Sequence, residues 1–302
     1  MMPELDRAVR RVGAIIVAFH PETGQLEELV ARLNEQVDHI VVVDNSEPAT
    51  ALPVSGPSRV EHIQPPGNVG VAAAINLGVE ALLKQGCTHG LLLDQDSLPA
   101  AGMTATLVNQ MQSLVDEGAK VAAIGPAIRD RGGDGRAPFV RFRLPFNQRI
   151  KKATGSASCD FLITSGSLIN LGHWSEIGPM RTRWFIDNID LEWCFRARRK
   201  GFGIYGCFDT ELVHSIGDSR LLLPLKWSPR YRHHDPSRLY TMMRNRVYLY
   251  RSEAPLSWII QDTLRAGGKL VLFSLLKPRR RNLASMLRGL WEGFTTSPSP
   301  RD

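Results

Sequence analysis

The sequence predicts an α/β fold built on a mostly parallel sheet, followed by a helical C-terminal region. Three observations support this prediction: short apolar segments, amphipathic segments between them, and polar residues directly after the apolar ones. Strands that alternate with helices form parallel sheets, because each parallel neighbour needs a crossover connection. A chain of 302 residues fits one α/β domain with a smaller appendage.

The first half of the chain carries the clearest alternation. Its predicted strands are residues 12–19, 40–43, 60–63, 90–93 and 121–125. Helical spacing of apolar or small residues is found at 25–36, 68–84 and 100–117. The first strand is a continuous apolar run, which is typical of a strand covered on both faces.

The second half is less regular. Residues 130–158 are polar and contain Gly and Arg, which predicts a loop or hairpin over the site. Strand character resumes at 161–164, a helix is predicted at 187–200, and two short strands are predicted within 203–214. From about residue 237 the pattern is helical, and 294–302, rich in Ser and Pro, is expected to be a disordered tail.

The positive charge of the chain is concentrated in its C-terminal third. The net charge is +7, but residues 219–302 hold 16 Lys/Arg and five Asp/Glu, a balance of +11, so residues 1–218 sum to −4. Nucleic-acid binding is not expected, because no reader motif accompanies the charge. A basic helical segment with Leu, Ile and Trp indicates association with an anionic membrane surface. Helical packing on the catalytic part, with a solvated basic face, is the alternative.

The chain is expected to be cytoplasmic, peripheral on the inner face of the cytoplasmic membrane. No Cys-x-x-Cys pair is present, which indicates reduced thiols at Cys87, Cys159, Cys194 and Cys207. No segment reaches the roughly 18 uninterrupted apolar residues of a spanning helix. The first residues lack the pattern of a secretory signal. The oligomeric state is not indicated.

Two carboxylates follow the predicted strand at 90–93. Asp94 and Asp96 can both approach one hard cation, because the chain turns there, and Mg²⁺ or Mn²⁺ prefers oxygen ligands. Such a cation would neutralise a diphosphate leaving group. A turn with two solvated acids is the alternative.

Asp44 follows the predicted strand at 40–43 in the same way. In open α/β sheets ligands bind at the carboxyl ends of strands, where Asp44 could accept hydrogen bonds from a nucleobase or ribose. A helix cap or an Asx turn is the alternative. The small residues 67–78 would let the backbone approach a ligand, and the helix start there could favour a phosphate. Close packing of helix on sheet would explain the same residues.

These motifs form an ordered set along the chain: Val17-Ala18-Phe19, Val43-Asp44-Asn45-Ser46, Asn68-Val69-Gly70, Leu93-Asp94-Gln95-Asp96-Ser97, Ser165-Gly166-Ser167, Phe185-Ile186-Asp187-Asn188-Ile189-Asp190-Leu191-Glu192-Trp193 and His214-Ser215-Ile216-Gly217. The set resembles the family 2 glycosyltransferases, whose GT-A fold combines a Rossmann-like nucleotide-binding sheet with a mixed acceptor-side half. Within that family the motifs are similar to those of bacterial rhamnosyltransferases. The resemblance covers about residues 10–220. We therefore expect a GT-A domain at residues 1–220 and a basic helical region at 221–302.

The resemblance implies roles residue by residue. The nucleotide sugar would be bound by Phe19, Asp44, Asn68, Gly70, Asp94 and Gln95. Asp96 would be the main ligand of Mg²⁺ or Mn²⁺, with Asp94 nearer the ribose or a metal-bound water. His214 would be a metal ligand or a hydrogen-bond donor at the diphosphate, although a lone His at a strand end is often structural. The acceptor and sugar pocket would be shaped by Ser165, Gly166 and Trp193.

The base that deprotonates the acceptor hydroxyl is expected in the segment before the helix at 187–200. Many relatives carry Glu-Asp there, and this sequence departs from that form because Ile189 stands where the first acid often lies. Asp190 is the expected base, and Asp187 is the second candidate. The two would share a helix face if the helix has begun at Asp187. Glu192 and Arg196 have the spacing of an i,i+4 ion pair.

The expected reaction is a single inverting displacement from dTDP-L-rhamnose to a hydroxyl of a glycan or lipid-linked acceptor. Such a reaction builds cell-surface polysaccharide or rhamnolipid. Two alternatives stay open. One is the transfer of another sugar from UDP-galactofuranose or UDP-glucose. The other is a non-catalytic module that binds a nucleotide sugar or lipid.

Overall fold

The computed structural model describes residues 10–48, 60–130, 135–214, 219–221, 230–232 and 234–297. Its strands are β1 (Val12–Ala18), β2 (His39–Asp44), β3 (Val60–Ile63), β4 (His89–Asp94), β5 (Leu98–Pro99), β6 (Val121–Asp130), β7 (Phe139–Arg141), β8 (Gln148–Ile150), β9 (Ser156–Ser158), β10 (Leu168–Asn170), β11 (Gly203–His214), β12 (Ser219–Leu221) and β13 (Arg230–Arg232). Its helices are α1 (Thr23–Asn34), α2 (Gly70–Lys84), α3 (Met103–Asp116), α4 (Trp174–Ile177), α5 (Ile189–Arg199), α6 (Pro236–Tyr250), α7 (Leu256–Leu275) and α8 (Arg279–Thr295).

Within the described residues, nine strands form one sheet. The order is β3-β2-β1-β4-β10-β6-β11-β5, and β9 pairs with β11. The β3-β2-β1-β4 half is parallel, as the alternation of strands and helices predicts. Beyond β4 the sheet is mixed, because β10 runs antiparallel to both of its neighbours while β6 and β11 are parallel. The α/β fold with a mixed second half is therefore confirmed.

The sheet is covered on both faces. The residues of β1 are all buried and alternate between two apolar clusters, with Ile15 and Val17 in one and Ala14, Ile16 and Ala18 in the other. Helices α1 and α3 supply the second cluster, while α2 and α5 supply the first. A strand covered on both faces needs a continuous apolar sequence, which explains why β1 was recognisable.

The C-terminal helices share the core of the sheet. Tyr248 and Leu249 of α6 and Trp258 of α7 are buried in the same apolar cluster as α2 and α5. The side-chain amide of Asn245 reaches back to the loop before α5. Among the described residues, none of the helices is long and apolar enough to cross a membrane.

Four sequence predictions need correction. Residues 161–164 form no strand; the next strand is β10, so Ser165 and Gly166 precede a strand rather than follow one. Residues 203–214 form one strand with an irregularity between Cys207 and Glu211. Helix α5 begins at Ile189, because Asp187 and Asn188 have left-handed φ angles of 64° and 63°. Helix α8 extends to Thr295, past the expected start of the tail.

Candidate active site

The two acidic strand ends lie on either side of the end of β1. In the sheet register Ala18 stands opposite Asp44 on β2, and Val17 stands opposite Asp94 on β4. Parallel strands end at the same edge, so Asp44 and Asp94 lie at the same edge of the sheet. This is the juxtaposition that the positions of Asp44 and Asp94 predicted.

The turn after β4 is fixed by neighbouring chain segments. The Gln95 side chain accepts a hydrogen bond from the Phe19 N–H at 2.6 Å and donates one to the Phe19 carbonyl at 3.2 Å. The Ser165 hydroxyl accepts a hydrogen bond from the Asp94 N–H at 3.2 Å and contacts the Ser97 hydroxyl. Gln95 and Ser165 therefore position the turn that carries the two carboxylates.

A short strand brings this turn to His214. Directly after the turn, Leu98 and Pro99 of β5 pair with Val213 and Leu212 of β11, and His214 is the last residue of β11. Ring and carboxylate atoms are separated by 3.7 Å between His214 and Asp94, and by 3.5 Å between His214 and Asp96. The rest of that motif, residues 215–218, lies outside the described residues.

The geometry of Asp94, Asp96 and His214 fits a divalent cation. One ligand atom from each residue lies within 4.8 Å of the others. Nδ1 of His214 is buried and forms no hydrogen bond within the described part of the chain, which a bound cation would explain. Two carboxylates and one imidazole are a donor set that Mg²⁺ or Mn²⁺ accepts.

Burial raises the pKa of Asp94, and the nearby Asp96 raises it further, whereas His214 lowers it. A bound cation would offset the mutual repulsion of these two neighbouring carboxylates. The site is therefore electrostatically suited to a cation.

These residues line a cavity of about 980 Å³. Its wall also includes Asp187 and Asp190 at the start of α5, Ser165, Gln95 and, from α6, Arg238. The cavity has the size of a typical ligand site. The structure thus brings the predicted metal ligands and both predicted bases to one place.

Asp190 and Asp187 have different surroundings. Burial raises the pKa of Asp190 to about 6, although the Leu191 N–H, which donates to its Oδ1 at 2.8 Å, acts in the opposite direction. Asp187 lies before the helix and forms an ion pair with Arg238 at 3.1 Å. Because α5 begins after Asp187, the two acids do not share a helix face.

Two residues of α6 that contact the loop before α5 were missed by the sequence analysis, and one of them, Arg238, lines the cavity. The amide of Asn245 donates to the carbonyls of Trp184, Ile186 and Asp187 at 2.7, 2.6 and 3.0 Å, and Arg238 binds the Asp187 carboxylate. Both lie on α6, more than 50 positions further along the chain. Their only sequence signal was a polar residue within an amphipathic helix, which is too common to single them out.

Several predicted binding residues form contacts within the protein. Oδ1 of Asp44 accepts hydrogen bonds from the Ser46 N–H and hydroxyl, and the exposed Asn68 accepts one from the Gly70 N–H. Phe19 is half-exposed at the edge of the sheet. None of Phe19, Asp44, Asn68 and Gly70 lines the 980 Å³ cavity.

Gly70 packs closely against Phe185. Its φ is +82°, and a Cβ there would lie 2.5 Å from the Phe185 ring and 2.8 Å from the Phe185 carbonyl oxygen. That carbonyl accepts the N–H groups of Val71 and Ala72 at the start of α2. Both N–H groups therefore already donate hydrogen bonds within the protein, so neither is available to bind a phosphate.

The predicted pocket residues Gly166 and Trp193 do not line the cavity. Gly166, with φ +89°, packs against Pro126 and Leu212 and donates its N–H to the Leu92 carbonyl. Trp193 is buried, stacks on Trp174 and donates to the Gly178 carbonyl at 3.1 Å. Trp193 belongs to the core because it lies one helical turn after the buried Ile189.

Comparison with known proteins agrees with the fold. The dTDP-rhamnosyl transferase RfbF of Shigella flexneri is 29% identical over 271 residues, covering 88% of this chain and 86% of that protein. The structure of GalNAc-T7 with UDP, GalNAc and Mn²⁺ superposes with a TM-score of 0.57 at 12% identity, covering 95% of this chain and 57% of that chain.

The structure of S. aureus TarS 1–349 in complex with UDP-GlcNAc gives a TM-score of 0.54 at 13% identity, covering 94% of this chain and 80% of that chain. At these identities the two structures support the fold alone. The sequence pattern of Glycosyl transferase family 2 matches residues 14–171, more than half of the chain. The match includes the strand ends at Asp44 and Asp94 and the turn that carries Asp96. The chain belongs to glycosyl transferase family 2.

Proposed function

We propose that the protein transfers L-rhamnose from dTDP-L-rhamnose to a hydroxyl group of a glycan or glycolipid. The observation that carries the transfer reaction is that Asp94, Asp96, His214 and Asp190 line one cavity. The choice of sugar is supported by the similarity to a dTDP-rhamnosyl transferase over 88% of the chain. The product would be a cell-surface polysaccharide or a rhamnolipid.

Asp94, Asp96 and His214 would hold Mg²⁺ or Mn²⁺ in this reaction. When bound, the cation neutralises the charge that develops on the departing diphosphate. The turn that carries the two carboxylates is held in place by Gln95 and Ser165, so the ligands need little rearrangement to bind it. Asp44, Asn68, Phe19 and Gly70 are proposed to surround the nucleoside at the parallel half of the sheet.

Asp190 is the proposed base. A carboxylate at this point takes the proton of the acceptor hydroxyl while the oxygen attacks the anomeric carbon. The new bond to the acceptor oxygen forms as the bond to the diphosphate oxygen breaks, on the opposite side of the sugar. The configuration at the anomeric carbon is therefore inverted, and no sugar–enzyme intermediate forms.

Calorimetric titration with nucleotide sugars in the presence of Mg²⁺ tests the proposal. The titrants are dTDP-L-rhamnose, UDP-glucose and UDP-galactofuranose, and the proteins are the wild type, Asp96→Ala and the exposed control Glu117→Ala. We expect the wild type and the control to prefer dTDP-L-rhamnose, and Asp96→Ala to lose the metal-dependent part of the affinity.

If the wild type prefers a UDP-sugar, the proposed transfer reaction stands and dTDP-L-rhamnose is not the donor. If the folded wild type binds none of the three, the proposal fails.

We also propose that residues 1–220 form the catalytic unit and that residues 221–302 complete it. The supporting contacts are the ion pair of Arg238 with Asp187 and the hydrogen bonds of Asn245 with the loop before α5. The C-terminal region is proposed to associate peripherally with an anionic membrane surface, because its helices expose basic and apolar side chains.

A further inference from the structure

The loop that carries the proposed base has an unusual backbone. Within the described part of the chain, four non-glycine residues have a positive φ, and three of them, Phe185, Asp187 and Asn188, lie directly before α5. A positive φ is uncommon in non-glycine residues and is least favourable for bulky ones. Residues 186–190 all line the active-site cavity. The unfavourable backbone angles therefore belong to the segment that presents the base.

Phe185 is the most strained of these three residues. Its φ and ψ are 63° and −64°, and the Ile186 N–H donates to the Trp184 carbonyl at 2.7 Å, so Phe185 is the centre of a γ-turn of the rare, strained form. Asp and Asn tolerate a left-handed φ because their side chains are short and polar. Phenylalanine lacks both properties, whereas glycine would adopt these angles without steric cost. Such a conformation persists only where the surrounding contacts determine it.

The contacts of Phe185 lead to the donor side of the fold. Its carbonyl accepts the Val71 N–H at 2.7 Å and the Ala72 N–H at 3.3 Å, at the start of α2. Its ring fills the space beside Gly70, where a Cβ would lie 2.5 Å from a ring carbon. Gly70 is held in turn by Asn45, whose side-chain amide donates to the Gly70 carbonyl at 3.3 Å. Phe185 therefore joins the base-carrying loop to the turn where the nucleoside is proposed to bind.

The carbonyls on either side of Phe185 are bound by a different helix. Asn245 of α6 donates to the carbonyls of Trp184 and Ile186 at 2.7 and 2.6 Å. The carbonyl between them, that of Phe185, is bound by α2. The loop is therefore attached to α6 through Asn245 and to α2 through Phe185.

Neither burial in the core nor direct contact with substrate explains Phe185. Its side chain is 38% exposed, whereas the neighbouring Trp184 is buried and packs on Tyr248. A partly exposed ring contributes less to stability by burial than a core residue does. Phe185 also does not line the active-site cavity, so it does not touch the reacting groups there. What its contacts accomplish is the attachment of the loop.

We infer that Phe185 is a positioning residue for the transfer reaction. Its ring and its carbonyl fix the loop to the start of α2, and the loop in turn holds Asp190 at a set place relative to the donor. Placement of the reacting groups contributes strongly to catalysis, and a small displacement of a base is costly. This inference rests on the proposed function, because it concerns the base of that reaction.

Three substitutions of Phe185 separate the ring from the backbone. Phe185→Gly removes the ring and relieves the backbone strain, while Phe185→Ala removes the ring and keeps the strain. Phe185→Tyr keeps the ring and is the conservative variant. Phe294→Ala, which changes an exposed residue of α8 that does not line the active-site cavity, is the control for loss of a phenylalanine.

Hydrogen exchange of the backbone amides measures the attachment of the loop directly. The amides of residues 186–192 should exchange about tenfold faster or more in Phe185→Gly than in the wild type, because local opening becomes easier. Exchange in α3 should be unchanged, which would show that the effect is local. This measurement needs neither donor nor acceptor. If the wild type releases no dTDP from dTDP-L-rhamnose, the proposed function fails and the exchange still tests the attachment.

Activity and stability should change in opposite order. In urea denaturation, Phe185→Gly should be more stable than Phe185→Ala, because glycine adopts the positive φ without strain. Release of dTDP from dTDP-L-rhamnose, with water as the acceptor, should nevertheless be slowest in Phe185→Gly, about 10- to 100-fold below the wild type, because its loop is the least restricted. Phe185→Tyr and Phe294→Ala should keep nearly the wild-type rate. Calorimetry should show donor affinity within a few-fold of the wild type in all four variants.

Three results would overturn the inference. The first is unchanged exchange of residues 186–192 in Phe185→Gly, because the loop would then be held without Phe185. The second is faster release of dTDP by Phe185→Gly than by Phe185→Ala, because activity would then follow stability alone. The third is a loss of donor affinity as large as the loss of kcat, because the ring would then serve donor binding.

Discussion

Arg238 donates two hydrogen bonds to the Asp187 carboxylate, at 3.1 and 3.3 Å. This ion pair joins α6 of the C-terminal region to the loop that carries the proposed base. Asp187 is thereby compensated by a cation, whereas no Arg or Lys of the described residues forms an ion pair with Asp190. Asp187 and Asp190, the two alternative bases of the sequence analysis, therefore differ in electrostatic surroundings: Asp187 is paired with a cation and Asp190 is not.

This difference predicts the outcome of replacing each acid. Asp190→Asn should lower kcat by about 100- to 10,000-fold, the usual contribution of a positioned base. Asp187→Asn should have a smaller effect, because it removes a partner of Arg238 and leaves the base in place. Steady-state kinetics with dTDP-L-rhamnose and a suitable acceptor would measure both.

Donor binding provides the control for these two variants. Each should bind the nucleotide sugar within a few-fold of the wild type, since neither belongs to the proposed metal site. If Asp187→Asn were the more damaging change in kcat, the assignment of Asp190 as the base would be wrong.

The raised pKa of Asp190 predicts an acidic limb in the pH profile of kcat/KM. Burial raises this pKa from its ordinary value of 3.8 to about 6, and a base must be ionised to accept a proton. Activity should therefore be full well above pH 6 and should fall about tenfold per pH unit below it. Rates measured between pH 4.5 and 8.5 would define the limb.

The control is the residual activity of Asp190→Asn, which should lack this limb. Circular dichroism at each pH must show that the protein stays folded. A limb with the same midpoint in the variant would assign it to another group.

The metal site predicts how His214 acts. His214→Ala should weaken Mn²⁺ binding by about tenfold or more, because it removes one of three candidate ligands and leaves two carboxylates in place. Electron paramagnetic resonance of free Mn²⁺ during titration measures the affinity directly, without turnover. His173→Ala, at a partly buried site that does not line the cavity, is the matched control.

Chelation by EDTA should abolish transfer by the wild type, and added Mg²⁺ or Mn²⁺ should restore it. Unchanged Mn²⁺ affinity in His214→Ala would instead assign the imidazole to hydrogen bonding alone.

The strand ends were predictable because their physical cause is local. A buried parallel strand needs an apolar run, and the run that precedes Asp94 ends where the chain leaves the sheet. The pairing of β5 with β11, which brings His214 to the turn, involves only two residues of β5. Sequence periodicity cannot predict a pairing of only two residues. The place of His214 in the site was therefore predicted only from the resemblance to the family.

The error at residues 161–164 has a different cause. Leu162 of this segment is buried against Gly125, and residues 161–164 line part of the active-site cavity. These contacts explain why the segment is apolar. Burial without strand pairing leaves the same sequence pattern as a short buried strand. Composition alone therefore could not distinguish the two.

The start of α5 was misplaced because tertiary contacts decide it. Acids at 187 and 190 are compatible with a helix N-terminus, yet Asp187 and Asn188 adopt left-handed backbone angles. The carbonyls of this loop are bound by Asn245, which lies on α6 and 58 positions beyond Asp187. Local propensity cannot predict a constraint of that range.

Asn245 is therefore predicted to hold the shape of the base-carrying loop. It is fully buried, and its amide contacts three main-chain carbonyls. Asn245→Ala would remove the amide donor from all three carbonyls, of which Trp184 keeps the Ile186 N–H. This loss should lower the free energy of unfolding by about 1–3 kcal/mol and also lower kcat. Urea denaturation and kinetics would measure the two effects.

Asn245→Asp distinguishes hydrogen bonding from packing. Its side chain has nearly the same shape, but an ionised carboxylate cannot donate to carbonyls and would repel them. It should be at least as destabilising as the alanine variant, whereas the exposed control Asn109→Ala should resemble the wild type. An Asn245→Asp protein with wild-type stability would show that the amide hydrogen bonds contribute little.

The final prediction compares two Glu–Arg pairs with the same i,i+4 spacing. Glu192 is fully buried and accepts hydrogen bonds from Arg196 and from Arg181, both at 2.7 Å. Glu28 and Arg32 on α1 form the exposed counterpart, at 2.8 Å. Glu192→Gln should lower the free energy of unfolding by about 3–5 kcal/mol, because it leaves the largely buried Arg196 without its anion and removes one of the two anions that pair with Arg181. Glu28→Gln should cost about 0–1 kcal/mol, because water screens an exposed pair. Urea denaturation of both variants at neutral pH measures the difference, and similar losses in the two would show that burial does not set the contribution of Glu192.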